Sequence, residues 1–150
     1  VTIAGDFAAI ERRVRESFAK QSFMATIGAT VSAVRKGEVE IVLPFSAGNT
    51  QQHGFVHGGV VASIADSACG YAALTAMPAD SAVLSVEFKI NFLSPAKGEK
   101  LRAHGRVVRA GKKLVVSAAD VFSVEGAREK QVAFVTATMM VMETGSGMKD

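Results

Sequence analysis

Asp66 is the only formally charged residue between Ile41 and Ala79, in a chain whose charged fraction of 21% would put about eight charges in a stretch that long. An ionisable group in such surroundings is paired, protonated or put to use, because burying an unpartnered charge is costly. It lies nine residues after His57, in the run His57-Gly58-Gly59-Val60-Val61-Ala62-Ser63-Ile64-Ala65-Asp66. A carboxylate so placed can serve as a nucleophile or a general base. On a helix starting near Gly58, the residues Gly59, Ser63, Asp66, Gly70 and Ala73 share one face, and every neighbour of Asp66 on it is small. That leaves room for a ligand, and close packing against a partner helix fits the pattern equally well. Val61, Ile64, Ala68, Tyr71 and Ala72 fall opposite, where they are predicted to pack on a sheet.

The Gly58-Gly59 pair opens this helix, and the N–H groups of a first helical turn point outward with the positive end of the helix dipole behind them. Such donors can hold the oxygen of a carbonyl under attack, a device worth about 2.7 to 4 kcal/mol per donor. A plain loop-to-helix junction is the alternative reading of the same glycines. Cys69 has no basic neighbour to stabilise a thiolate and reads as a buried small hydrophobe. A Ser63–His57–Asp66 triad fails on spacing, since His57 sits at the helix start. His53 and His104 lack companions at metal-ligand spacing, so no metal is expected, and no phosphate loop or dinucleotide fingerprint is present.

The elements that must position these residues follow from periodicity. Phe7, Ile10, Val14 and Phe18 recur at helical spacing, which predicts an amphipathic helix near the start. Alternation from Thr26 to Arg35, then Lys36-Gly37, then Val39 to Leu43 predicts a hairpin ended by Pro44. Pro78 closes the long helix. Four strands follow: Leu84 to Phe92, in strict alternation, Lys100 to Arg109, Leu114 to Val124, and Glu129 to Met142. In the last, Val132, Phe134, Met140 and Met142 are assigned to the core. Ala133, Val135, Ala137, Met139 and Val141 would then need cover from a partner subunit. The order calls for an α+β domain, an antiparallel sheet wrapped around a long central helix with an extra N-terminal helix. One domain spanning 1–150 is expected, with its core at about 27–142 and a frayed tail at 143–150.

Composition narrows the function classes. With 17 basic and 14 acidic residues and no polybasic block, nucleic acid is not implied. The uncharged stretch from Gly58 to Met77 carries a central aspartate, three glycines and no basic flank, so it reads as a buried helix and not a membrane span. One cysteine and a charged N-terminal segment make the cytoplasm the expected compartment. Lys97, Lys100, Arg102, Arg106, Arg109, Lys112 and Lys113 could grip phosphates or simply solvate the strand faces.

Several pieces occur together: Gly54-Phe55-Val56-His57-Gly58-Gly59, then Asp66, then Ser85-Val86-Glu87-Phe88-Lys89-Ile90-Asn91-Phe92-Leu93-Ser94-Pro95, then Gly98 and Val107-Val108-Arg109-Ala110-Gly111-Lys112. Over about 27–142 the chain resembles the hotdog-fold acyl-CoA thioesterases of the 4-hydroxybenzoyl-CoA thioesterase superfamily, in the phenylacetic-acid-pathway thioesterase-like branch. The resemblance implies a hotdog fold, a homodimer or homotetramer with its active sites at the dimer interface, and hydrolysis of an acyl-CoA or acyl-carrier thioester without a cofactor. It also implies roles. Asp66 would be nucleophile or general base, Gly58 would donate its N–H to the thioester oxygen from the other protomer, Ser85 would help place the water or acyl group, and His57 would brace the loop. Gln51 stands where many relatives carry an asparagine that orients the attacking water. Gly59, Asn49, Arg109 and Lys112 are the expected contacts to substrate and CoA. A hotdog enoyl-CoA hydratase and a non-catalytic acyl-CoA-binding protein are the alternatives.

Overall fold

The computed structural model describes residues 3–143; the tail beyond Glu143, expected to fray, lies outside them. Helix α1 (Ile3–Ala19) is followed by a short helix α2 (Ser22–Ile27), strands β1 (Thr30–Arg35) and β2 (Glu38–Pro44), and the long helix α3 (Gly58–Thr75). Strands β3 (Ser81–Phe92), β4 (Lys100–Ala110), β5 (Leu114–Glu125) and β6 (Arg128–Glu143) complete the chain. All six strands form one antiparallel sheet in the order β1-β2-β4-β5-β6-β3. Helix α3 packs across it, touching every strand, and α1 lies against β1 and α3. This is the expected α+β architecture of a sheet around a central helix. The first strand starts later than the alternation from Thr26 predicts, because Gly28, at φ 86°, ends α2 in a left-handed cap where the chain turns into β1.

The seat of α3 explains the composition of the sheet. Gly105 on β4 lies directly beneath the helix: a Cβ there would come within 2.2 Å of the Ala68 carbonyl oxygen and 2.8 Å of the Cys69 nitrogen. Helix backbone and sheet backbone are therefore in contact, and the sheet positions around Gly105 must be small. Ala103, Ala119, Ser117, Ala133 and Ala137 are all at most 1% exposed. At the far end of the helix, the buried Thr75 hydroxyl accepts the Gly37 N–H at 2.7 Å and donates to the Ala72 carbonyl at 2.7 Å, pinning the β1–β2 turn to the last helical turn.

Two faces differ from the sequence reading. In β6 the core takes Ala133, Val135, Ala137 and Met139, each at most 1% exposed, whereas Met140 is 39% exposed and Phe134 only half-buried. Strand alternation puts these four on one face, with Ala133 and Ala137 small under the helix, and a register shift at Val121/Phe122 lets Val132 be buried beside Ala133. In β3 the strict alternation is broken by a bulge between Ser85 and Glu87. Ser85 pairs with Met139, and beyond the bulge Phe88, Ile90 and Phe92 pair with Ala137, Val135 and Ala133, so all four share the helix-facing side. Leu84, paired with Met140, is on the other. β3 is also an edge strand, and Leu84, Val86, Phe88 and Phe92 are 42 to 56% exposed along it.

Replacing Gly105 tests this seat. Gly105→Ala forces a methyl into helix backbone that cannot yield as a side chain would, and should lower the stability by about 3 kcal/mol, read as a shifted midpoint in urea unfolding. An unchanged midpoint would contradict direct contact of helix and sheet.

Candidate active site

The first turn of α3 has donors to satisfy, and the local sequence satisfies all but one. His57 is the N-cap: its imidazole Nδ1 accepts the Gly59 N–H at 2.8 Å, and its carbonyl accepts from the Val60 and Val61 amides at 2.9 and 3.1 Å. The Gly58 N–H is left without a protein partner among the described residues. It opens on a cavity of about 430 Å³ lined by Gln51, Phe55, Gly58, Phe92 and Pro95. The Phe92 ring lies 3.1 Å from where a Cβ on Gly58 would be, so glycine lets the aromatic side chain close over the helix start.

Asp66 lies two turns further along α3, half-buried, with Oδ1 accepting the Ser85 hydroxyl at 2.8 Å. Ser85 Oγ is also 3.4 Å from Met139 Sδ, which holds the serine between strand and helix. Asp66 Oδ2 has no hydrogen-bond partner among the described residues. Burial pushes the Asp66 carboxyl above the ordinary aspartate value, and the hydrogen bond from Ser85 opposes that shift in part. The carboxyl and Ser85 line a second cavity, of about 670 Å³, between α3, β3 and α1.

Gly58 and Asp66 therefore belong to different cavities of one chain, about 12 Å apart along the helix axis. They cannot grip a single carbonyl within one protomer. The other expected contacts distribute as follows. Gln51 lines the Gly58 cavity, and its side-chain oxygen accepts the His53 N–H. The Asn49 carboxamide nitrogen is committed to the Ile27 carbonyl at 2.7 Å and its own carbonyl to the His57 N–H at 2.8 Å, so it braces the loop before α3. Gly59 is exposed, with its N–H spent on His57. Arg109 and Lys112 are exposed on the β4–β5 hairpin and line neither cavity.

Of the other cations, Arg102 is held by Glu40 and Glu129 at 3.1 and 2.8 Å and stacks on Phe122, while Arg106 is paired with Asp120. These are spent on the outer face of the sheet. Ser63 donates to the Gly59 carbonyl, which leaves no triad with His57. Cys69 is fully buried, and burial pushes its thiol up to about 12. Among the described residues no helix is long and apolar enough to cross a membrane, and no three His, Cys, Asp or Glu side chains cluster as metal ligands would.

One assignment of faces changes. Tyr71, expected against the sheet, turns toward α1: its hydroxyl meets Ser17 Oγ at 3.2 Å and accepts from Gln21 Nε2 at 3.0 Å, and its ring meets Phe18 edge-on. No local signal marks this group, because the spacing that makes α1 amphipathic carries no sign of which side of α3 it covers. Ala73, expected beside Asp66 on an open face, is fully buried.

The sheet wrapped around a central helix is a hotdog fold, and comparison with known proteins agrees. The thioesterase superfamily profile matches residues 53–130, which include the His57-Gly58-Gly59 run, Asp66 and Ser85. The crystal structure of a thioesterase family protein from Silicibacter pomeroyi superposes with a TM-score of 0.87 at 44% identity, covering 89% of this chain and 98% of that one. SSO1253 of Saccharolobus solfataricus is 35% identical over 69% of this chain and 68% of its own length. The medium/long-chain acyl-CoA thioesterase YigI of Escherichia coli is 28% identical over 65% of this chain and 69% of its own. The chain belongs to the thioesterase superfamily, and its chemistry is the hydrolysis of thioesters.

The buried carboxyl makes a pH-dependent mark on stability. Asp66 binds its proton more tightly in the folded than in the unfolded chain, so its favourable contribution is complete below the unfolded value of 3.8 and is lost as pH rises through the higher folded value. Asp66→Asn carries no charge at any pH. It should therefore melt above the parent at pH 7, with the gap closing as pH falls toward 3.8. Thermal melts between pH 3 and 8 measure this, and a gap that widens in acid would contradict burial of the charged form.

Proposed function

We propose that this protein hydrolyses acyl-CoA thioesters at a composite site built by two copies of the chain, Asp66 from one and the Gly58 N–H from the other. The observation that carries this reading is the Gly58 amide at the start of α3, unpaired among the described residues and beyond the reach of its own Asp66. A second copy supplies the missing half. β3 is an uncovered apolar edge, and pairing it with the β3 of a second copy would bury that edge.

In this arrangement the thioester oxygen accepts the Gly58 N–H, backed by the positive end of α3, and the carbonyl carbon becomes open to attack. Asp66 acts in one of two ways. As general base it takes a proton from water whose oxygen adds to the carbonyl carbon; the tetrahedral intermediate then collapses, the carbon–sulfur bond breaks, and the proton passes to the leaving thiolate. As nucleophile its own oxygen adds, thiolate leaves, and water hydrolyses the resulting anhydride. Both need an ionised carboxylate, and thiolate is a good enough leaving group that no strong acid is required. Ser85 holds one carboxylate oxygen and leaves the other for the reaction. Gln51 lines the same cavity as Gly58, and it takes the position that orients the water. His57 acts by fixing the helix start. Arg109 and Lys112, which make no ion pair among the described residues, are the cations proposed for the CoA phosphates. The YigI similarity supports CoA as the thiol carrier.

Asp66→Asn should reduce thiol release from acyl-CoA by about a hundredfold or more, followed with a thiol-reactive chromophore, with the oligomer unchanged by sedimentation. Release at the parent rate across a panel of acyl chains would refute the role of Asp66. Enoyl-CoA consumption without thiol release would favour a hydratase instead.

A further inference from the structure

The cavity that Asp66 faces carries a polar cluster in its wall, beside an apolar stretch of Leu74, Ala79, Ala82 and Val83. From Asp66 it follows one face of α3 past Ser67 and Gly70 to Tyr71, where α1 closes it with Ser17 and Gln21. Tyr71 is about 7.5 Å beyond Asp66 along the helix axis, roughly the reach of a six-carbon acyl group whose carbonyl carbon sits at the carboxylate. The Tyr71 and Ser17 hydroxyls lie 3.2 Å apart, and the Tyr71 oxygen also accepts from Gln21. Two hydroxyls bring two hydrogens, and the bond between them uses one. One O–H donor therefore stays uncommitted among the described contacts, in the cavity wall about 7.5 Å along the helix from the carboxylate. The wall beside it adds Arg12, paired with Glu16 at 4.0 Å, and Arg13, which donates one N–H to the Ser81 carbonyl and keeps others. Burial keeps the Tyr71 phenol protonated, so it remains a donor.

We infer that the acyl group this enzyme prefers is short, about six carbons long, and carries an oxygen at its far end, a hydroxyl or a carboxylate, that is recognised by the Tyr71–Ser17–Gln21 cluster. This deepens the thioesterase reading and rests on it. An acyl group ending in a methyl would strand these polar groups against hydrocarbon, whereas a terminal oxygen pairs with the spare donor. A carboxylate would gain further from the two arginines. Helix α1 thus sets specificity without supplying any of the reacting groups.

The test compares kcat/KM for hexanoyl-CoA, 6-hydroxyhexanoyl-CoA and the mono-CoA thioester of hexanedioic acid, by thiol release. At least one oxygen-bearing substrate should exceed hexanoyl-CoA by about tenfold; which one does tells hydroxyl from carboxylate recognition. Tyr71→Phe keeps the ring against Phe18, and Ser17→Ala is a milder change on half-buried surface. Each should bring the ratio of oxygen-bearing to plain substrate toward one. Hexanoyl-CoA hydrolysed as well as or better than both others, or a ratio untouched by both variants, would overturn the inference while leaving the thioesterase reading standing. No thiol release from any of a wide range of acyl-CoA esters would overturn both.

Discussion

Backbone lies on backbone where α3 crosses Gly105, and much else in this molecule follows from that contact. The 2.2 Å that a single Cβ would leave to the Ala68 carbonyl excludes every other residue from the position without movement of the helix. With the helix so low, the sheet positions around Gly105 are small, and Ala103, Ala119, Ala133 and Ala137 face inward there. The same seat places Asp66, half a turn before Ala68, close enough to β3 for the Ser85 hydroxyl to reach it at 2.8 Å. Asp66 is thus held by the packing of the whole domain and not by a loop.

Hydrogen-bond accounting at the start of α3 then divides the site. His57 serves three of the first four amides through its ring and its carbonyl, and Gly58 is the remainder. A helix that presents a free amide at its first residue and a carboxylate at its ninth cannot apply both to one bond. Two copies arranged about a two-fold axis can, twice over. The exposed apolar edge on β3, with Ser85 on the same strand, gives such an axis a natural position. The bulge after Ser85 matters here, since it keeps Ser85 on the helix side while shifting Phe88 and Phe92 to that side as well, where Phe92 covers Gly58.

Apart from the short helix α2, which was not read, the order of elements was legible because each is signalled locally: the period of α1, the long uncharged run of α3 with Pro78 behind it, and the turns between strands. Asp66 stood out by charge alone, and Gly58 by its pairing with Gly59 before a helix. What escaped was set by contacts across the chain. Strand faces depend on register, and bulges at Ser85/Glu87 and Val121/Phe122 have no local sequence mark. Gly105 looks like any glycine in a strand until a helix is placed over it. Asn49 resembles a ligand contact in a polar loop, yet its amide is committed to the Ile27 carbonyl 22 residues away. Tyr71 could be assigned only once α1 had been docked.

The most direct measurement is complementation between two inactive variants, Asp66→Asn and Gly58→Pro. Proline removes the amide hydrogen at a first helical position; His57, at ψ 136°, already has the extended geometry a following proline requires, and the end of the Phe92 ring must shift by a few tenths of an ångström. Each variant alone should be nearly inert. After unfolding and refolding together, half of the dimers are mixed and each holds one intact Asp66–Gly58 pair, so thiol release should recover to about a quarter of the parent rate. If the refolded mixture is no more active than the two variants measured separately, the site does not join two chains, and the account fails.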